Sequence, residues 1–169
     1  MRAKRLTAQQ ALELWKKFYA AYGPEQMKAS YGEEDPPTKI KENRRVWAFS
    51  DGDDVIGWGS SQIDLNDAED EEAYLFVGVF PQFQGRGYHM KIVDWMAAKA
   101  KRDGAKWASM AVLKSNAAHY QRTLKHAENG PWVFAGEFWF PHPGEGYFLL
   151  PLNDEAKAMR VTYVEKQQV

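Results

Sequence analysis

The run Tyr74-Leu75-Phe76-Val77-Gly78-Val79-Phe80 is apolar without interruption, and it constrains the chain more than any other feature. Rich in aromatic and β-branched residues and lacking alternation, it reads as a central strand buried on both faces. A turn with two glycines follows at once, Pro81-Gln82-Phe83-Gln84-Gly85-Arg86-Gly87. Tyr88 to Arg102 then carries Met90, Ile92, Val93, Trp95, Met96 and Ala100 at helical spacing, and Asp103-Gly104 closes that helix. A buried strand, a glycine loop and an amphipathic helix therefore form the centre of the fold, and Lys106 to Leu113 supplies the next strand.

The flanks read as follows. Met1 to Leu6 is a short strand. Thr7 and Gln10 make a capping box before the apolar stripe Ala11, Leu12, Leu14, Trp15, Phe18 and Tyr19, and Gly23-Pro24 ends that helix. Pro24 to Asn43 is polar and reads as a loop with one short helix near Gln26 to Ser30. Val46 to Ser50 and Val55 to Ile63 flank Asp51-Gly52 as a β-hairpin. Ser115 or Asn116 caps a helix running to about Ala127. Trp132 to Phe140 and Tyr147 to Leu152 form a last strand pair. The expected fold class is α/β (α+β) in one domain, 1–169, since a chain of 169 residues has little room for a second core.

Composition narrows the function. With 22 Lys and Arg against 23 Asp and Glu, the net charge is −1, which speaks against a generic basic nucleic-acid binder. The absence of cysteine excludes disulfides, thiolate metal sites and a Cys nucleophile, and it fits the cytoplasm. The N-terminal residues carry no apolar signal-peptide core, and no apolar run reaches the length of a membrane span.

The glycine loop carries the chemistry. A helix N-terminus offers backbone N–H groups and the positive end of a dipole, and glycines let a backbone approach an anion. Gly85 and Gly87 stand where this is needed, with Arg86 between them. The expectation is a phosphate or pyrophosphate site. No Gly-Lys-Ser/Thr follows, so it is not a Walker A loop, and the dinucleotide fingerprint lacks its third glycine.

Val77-Gly78-Val79-Phe80-Pro81 followed by Gln84-Gly85-Arg86-Gly87-Tyr88 resembles the acyl-CoA loop of the GNAT family of N-acetyltransferases, here as Gln84-x-x-Gly87-x-His89. Trp107 to Leu113, then Lys114-Ser115-Asn116 and a helix, is similar to that family's second CoA motif. The resemblance extends over roughly Val46 to Phe140. It implies a mixed, mostly antiparallel sheet with helices on both faces, and acetyl-CoA or another acyl-CoA as co-substrate. Backbone groups of Val77, Gly78 and Val79 would pair with the pantetheine arm. N–H groups from Gly85 through Arg86, Gly87, Tyr88 and His89 to Met90 would hold the pyrophosphate, and Asn116 would bond to the pantetheine or orient the thiol end. The implied reaction is direct attack of a primary amine on the thioester, with a base for its proton, a strand N–H for the oxyanion and an acid for the thiolate.

The chain departs from the family pattern at several positions. His89 stands where Gly or Ala is usual, and Thr123 where the thiolate-protonating Tyr is usual. Tyr120, one turn earlier, is the nearest phenol, and it either takes that role or packs in the core. Some members carry a Glu at the position of Ala111, and others a base near Ala73. Glu71 and Glu72, beside Ala73, either serve as base or are solvated acids of the run Asp64 to Glu72. Asn116-x-x-His119 resembles divergent, phage-type members, and a half-buried structural role for His119 is the preferred reading.

His119 and His126 are seven residues apart without nearby acids, so no metal site is expected. Pro141-His142-Pro143 reads as a turn. Lys99, Lys101, Arg102 and Lys106 are a solvated basic face or a contact for the CoA 3′-phosphate. The acids of Asp64 to Glu72 would draw a cationic acceptor. The expected partner is a small-molecule or protein amine, with no membrane, and the family resemblance adds homodimers through the last strands. Two other readings stand beside the enzyme. One is an inactive GNAT-like domain kept for binding or structure, including a virion or host-interaction role. The other is acylation of an amino-modified nucleobase.

Overall fold

The capping box at Thr7 forms with both of its reciprocal bonds: Gln10 N–H donates to Thr7 Oγ1 at 3.3 Å, and Thr7 N–H to Gln10 Oε1 at 3.1 Å. It starts α1 (Ala8–Tyr22), after a short strand β1 (Arg2–Arg5). The computed structural model describes residues 1–63, 72–137 and 144–158. Gly23, at φ +79°, ends α1 and at the same time precedes α2 (Pro24–Tyr31), with Pro24 as the first helical residue. The expected loop is therefore shorter and its helix longer than Gln26 to Ser30, because a Gly-Pro pair can start a helix as well as stop one.

The remaining elements are β2 (Arg44–Asp51), β3 (Asp54–Ile63), β4 (Glu72–Val79), α3 (Tyr88–Arg102), β5 (Trp107–Leu113), α4 (Ala117–Asn129), β6 (Val133–Glu137) and β7 (Glu145–Pro151). The strands of the described residues lie in one seven-stranded sheet ordered β1-β2-β3-β4-β5-β7-β6. β1–β2, β2–β3, β5–β7 and β6–β7 pair antiparallel, and β4–β5 pairs parallel. This is the mixed, mostly antiparallel α/β sheet expected. β6 is described over Val133–Glu137, and residues 138–143, with the Pro141-His142-Pro143 turn, lie outside the described residues.

The chain clusters into two compact units: Met1–Gln62 with Leu75–Met96, and the described residues of 63–74 with those from Ala97 onward. In the first unit, helices cover both faces of β3. Trp58 packs edge-on against Trp15 and Phe18 of α1, with centroids 5.3 and 5.6 Å apart. On the other face, Trp95 of α3 packs against Trp47 and Phe49. The seating is close enough to require glycine. A Cβ on Gly57 would lie 2.3 Å from the Gly78 carbonyl oxygen, and one on Gly59 2.9 Å from Met96. A Cβ on Gly78 would lie 2.4 Å from Trp58 Nε1 and 2.6 Å from Phe18 Cζ. Gly78 is therefore small because two aromatic rings press on β4.

In the second unit, β5, β7 and β6 pair over Trp107↔Pro151 to Leu113↔Glu145 and Val133↔Leu149 to Glu137↔Gly146. Phe148, fully buried, packs against Tyr120 of α4 and Phe134 of β6. On α4, Thr123 Oγ1 donates to the His119 carbonyl at 2.9 Å. His119 is itself half-buried. Burial, and to a lesser degree Arg122, lowers its pKa below the usual histidine value.

Two measurements test this packing. Gly57→Ala should cost about 2–3 kcal/mol in urea unfolding, because the atom it meets is backbone and cannot turn aside; a loss within 0.5 kcal/mol of zero would refute the close approach. For His119 the depressed folded pKa means that, below about 6.5, the unfolded chain binds a proton that the folded chain does not. Stability should therefore fall as pH drops through that value toward the folded pKa. His119→Gln should flatten that slope, and equal slopes in the two proteins would remove His119 from the account.

Candidate active site

The glycine loop lies in the first unit. β4 ends at Val79, a 3-10 turn spans Pro81–Phe83, and Lys91 N–H donates to the Gly87 carbonyl at 3.4 Å as α3 begins. Gly85 and Gly87 hold φ +74° and +75°, the left-handed region that side chains resist. A Cβ on either would meet no protein atom within 4 Å. Glycine is needed here for the sign of the dihedral, whereas at Gly78 it is needed for room. Arg86 folds back over the Phe83 ring at 5.6 Å. The first turn of α3 holds no acid, and its last turn holds Lys99, Lys101 and Arg102, which leaves the loop end of its dipole open to an anion.

Two phenols anchor the loop. The Tyr88 hydroxyl donates to Asp51 Oδ2 at 2.5 Å. That bond lowers the Asp51 carboxyl pKa and raises the Tyr88 phenol. Tyr22, at the end of α1, donates its hydroxyl to the Val79 carbonyl at 2.7 Å and accepts from Gln84 Nε2. Tyr31 of α2 stands edge-on to the Tyr22 ring, with centroids 5.9 Å apart. Burial raises the pKa of both Tyr22 and Tyr31, so both are protonated donors at neutral pH.

The second unit holds the other candidates. Asn116 is the N-cap residue of α4, and its side chain makes no capping bond. Tyr120 is buried on the same helix, over Gly146, where an added Cβ would lie 2.5 Å from its ring. Glu72 opens β4, and its Oε1 accepts from both Ser109 Oγ and the Tyr147 hydroxyl. Tyr147 stacks on Tyr74, with planes 14° apart and centroids at 6.5 Å. Burial and then the bond to Glu72 push the Tyr147 phenol above its usual range. Glu72 is therefore not simply a solvated acid. Ala73, the neighbouring position, is fully buried and points to the opposite face.

Strand alternation separates two of these residues. Gly146 and Phe148 share the face of β7 that packs on Tyr120, and Tyr147 between them faces Glu72. Tyr120 and Glu72 thus lie on opposite faces of the sheet. Ala111 is registered opposite Tyr147, on the Glu72 side. Glu71 and the acids 64–70 fall outside the described residues. Sequence reading missed Tyr22 and Ser109 as site neighbours, whereas Tyr147 belongs to the dense C-terminal aromatics read as core, acceptor-pocket lining or oligomer interface. Ser109 gave a signal, since a lone hydroxyl in the apolar strand Trp107–Leu113 needs a partner when buried.

The basic cluster is partly used up. Lys99 pairs with Asp103, and Lys106 lies 3.6 Å from Glu155. Lys99, Lys101 and Arg102 lie in the last turn of a 15-residue helix, so about 20 Å of helix separates them from Gly87. They serve the helix C-terminus. Among the described residues, no group of His, Asp and Glu could hold a metal ion, and no helix is long and apolar enough to cross a membrane.

Comparison with known proteins agrees with this geometry. The sequence matches the acetyltransferase (GNAT) family over residues 8–124. A comparison with curated proteins gives no match. Among solved structures, the chain is similar to spermidine N-acetyltransferase from Vibrio cholerae in complex with CoA and spermine, with TM-score 0.67 and 12% identity over 89% of this chain and 95% of that one. It is also similar to the GNAT domain of S. lividans PAT, with TM-score 0.64 and 18% identity over 89% of each chain. The ribosomal-protein-S18-alanine N-acetyltransferase from Escherichia coli gives TM-score 0.58 and 15% identity over 90% and 94%. At these identities the structures speak for the fold, and the family match, which spans most of the chain and contains the whole glycine loop, speaks for descent: the chain belongs to the GNAT acetyltransferase family.

Proposed function

We propose that the chain, acting over 1–169 as one acyltransferase domain, moves an acyl group, acetyl in the simplest case, from acyl-CoA to a primary amine. The observation that carries this reading is the pair Gly85 and Gly87. Both hold left-handed dihedrals at the start of a helix without first-turn acids, and no protein atom lies where a Cβ would stand. These features fit a pyrophosphate, and Gly85 to Met90 supply the N–H groups for it. Val77, Gly78 and Val79 offer strand backbone to the pantetheine, and Asn116 offers an amide that is not spent on capping.

The reaction is direct attack. The amine nitrogen forms a bond to the thioester carbonyl carbon, and the carbon–sulfur bond breaks. A β4 N–H holds the oxyanion meanwhile. Glu72, or Glu71 beside it, takes the proton that the amine sheds, and Tyr120 gives one to the thiolate. No covalent enzyme intermediate is needed, in keeping with a chain that has no cysteine. Tyr147 and Ser109 supply the hydrogen bonds that fix the Glu72 carboxylate.

Calorimetry with acetyl-CoA is the first test. The wild-type chain should bind in the micromolar range, and Gly87→Trp, which fills the loop and strains its backbone, should not bind. Binding without turnover over a panel of amines and amino-modified nucleobases would instead make the chain a binding module. No binding at all would end the acyl-CoA reading. Once an acceptor is found, Glu72→Gln and Tyr120→Phe should each lower kcat by about a hundredfold while leaving acetyl-CoA affinity unchanged. Full activity in either variant would remove that residue from the chemistry.

A further inference from the structure

We infer that Tyr22 is a positioning residue for the acyl-CoA loop: through Gln84 it sets the shape of the loop against the end of β4, and with it the affinity for acyl-CoA. The inference rests on the acyl-CoA reading above and adds a residue outside the loop motif. Two bonds meet at the one phenol. Its hydroxyl donates to the Val79 carbonyl at 2.7 Å and accepts from Gln84 Nε2. The hydroxyl therefore works as donor and acceptor at once.

The geometry gives the relay its purpose. Gln84 is exposed, as are Gly85, Arg86 and Gly87, so core packing holds none of these four residues. Two of them are glycines, the residues with the most backbone freedom to lose. A loop of this kind binds an anion well only when its N–H groups are already aligned, because ordering it during binding subtracts from the affinity. The Gln84 side chain is the loop's tie to the buried core, and Tyr22 is where that tie ends. The ring of Tyr22 is fixed independently, tilted against Phe18 at 4.8 Å and edge-on to Tyr31 at 5.9 Å. The post therefore stands whether or not Gln84 is attached. The Val79 carbonyl it also holds belongs to the strand that would pair with the pantetheine, so one hydroxyl registers both backbone segments offered to the ligand.

The test uses the full chain and acetyl-CoA titrated by calorimetry, with thermal unfolding run alongside. Tyr22→Phe keeps the ring and loses the hydroxyl, and Gln84→Ala cuts the tie from the other side. Each should weaken acetyl-CoA binding about three- to tenfold, with little change in Tm. The double variant should be no weaker than the poorer single one, because both remove the same link. Met27→Ala, a buried substitution in the same core that leaves both hydrogen bonds of the Tyr22 hydroxyl in place, should lower Tm and leave the affinity unchanged. That contrast separates positioning from general loss of structure. If the wild-type chain binds and Tyr22→Phe binds equally well, or if the losses of the two single variants add, the relay has no role and the acyl-CoA reading survives alone. If the wild-type chain does not bind acetyl-CoA, the acyl-CoA reading fails first and this inference falls with it.

Discussion

The meeting of Trp58, Phe18 and Gly78 is the contact on which the rest depends. It places a two-ring aromatic wedge from α1 and β3 directly on the backbone of β4. Because Gly57 also comes against the Gly78 carbonyl, the two strands and the helix can close only where both positions lack a side chain. That closure fixes where β4 ends, hence where the loop begins. It also brings the C-terminus of α1, with Tyr22, within reach of Val79. The glycine loop is thus shaped from the core outward: packing first, then a phenol, then an amide, and only then the two glycines.

Glycine does two unlike jobs in this chain, and the difference has consequences for function. At Gly57 and Gly78 it is demanded by crowding, so a substitution costs stability. At Gly85 and Gly87 it is demanded by dihedral sign in open space, so a substitution costs the loop its shape while the core stays intact. Separation of this kind lets such a loop be exposed without weakening the fold that carries it. Tyr88 contributes in the same sense, tying the first residue of α3 to Asp51 at the end of the β2–β3 hairpin.

Local signals in the sequence located most of the fold. The Thr7–Gln10 capping box, the Asp51-Gly52 turn, the apolar run before Phe80 and the stripe from Met90 to Ala100 each describe residues a few positions apart, and each element formed nearly where its signal lies. The site was legible only in its loop, which is also a local pattern. What escaped were links across long separations: Gln84 to Tyr22 over 62 residues, Ser109 to Glu72 over 37, and Tyr147 to Glu72 over 75. None has a periodicity to betray it. Glu72 itself was hidden by its neighbours, since a carboxylate at the end of an acidic run looks like one more solvated charge until a buried and a half-buried hydroxyl are found on one of its oxygens.

That carboxylate makes sense of the departures from the family pattern. Where some members place an acid at the position of Ala111, this chain has a methyl group, registered opposite Tyr147 on β7. Tyr147 instead reaches the acid supplied by β4, and Ser109, two residues before Ala111 and on the same face, does the same. On the role proposed for Glu72, the acid comes from the neighbouring strand and is held by the hydroxyls of Ser109 and Tyr147. A similar shift by one turn of α4 relates Thr123 to Tyr120. Thr123 turns its hydroxyl back to its own helix at the His119 carbonyl, and the phenol ring four-fifths of a turn earlier lies over Gly146, the β7 glycine whose missing side chain leaves space for it. On the proposed roles, the acid is taken from the neighbouring strand and the phenol from nearly one turn earlier on α4, where Gly146 leaves space for its ring.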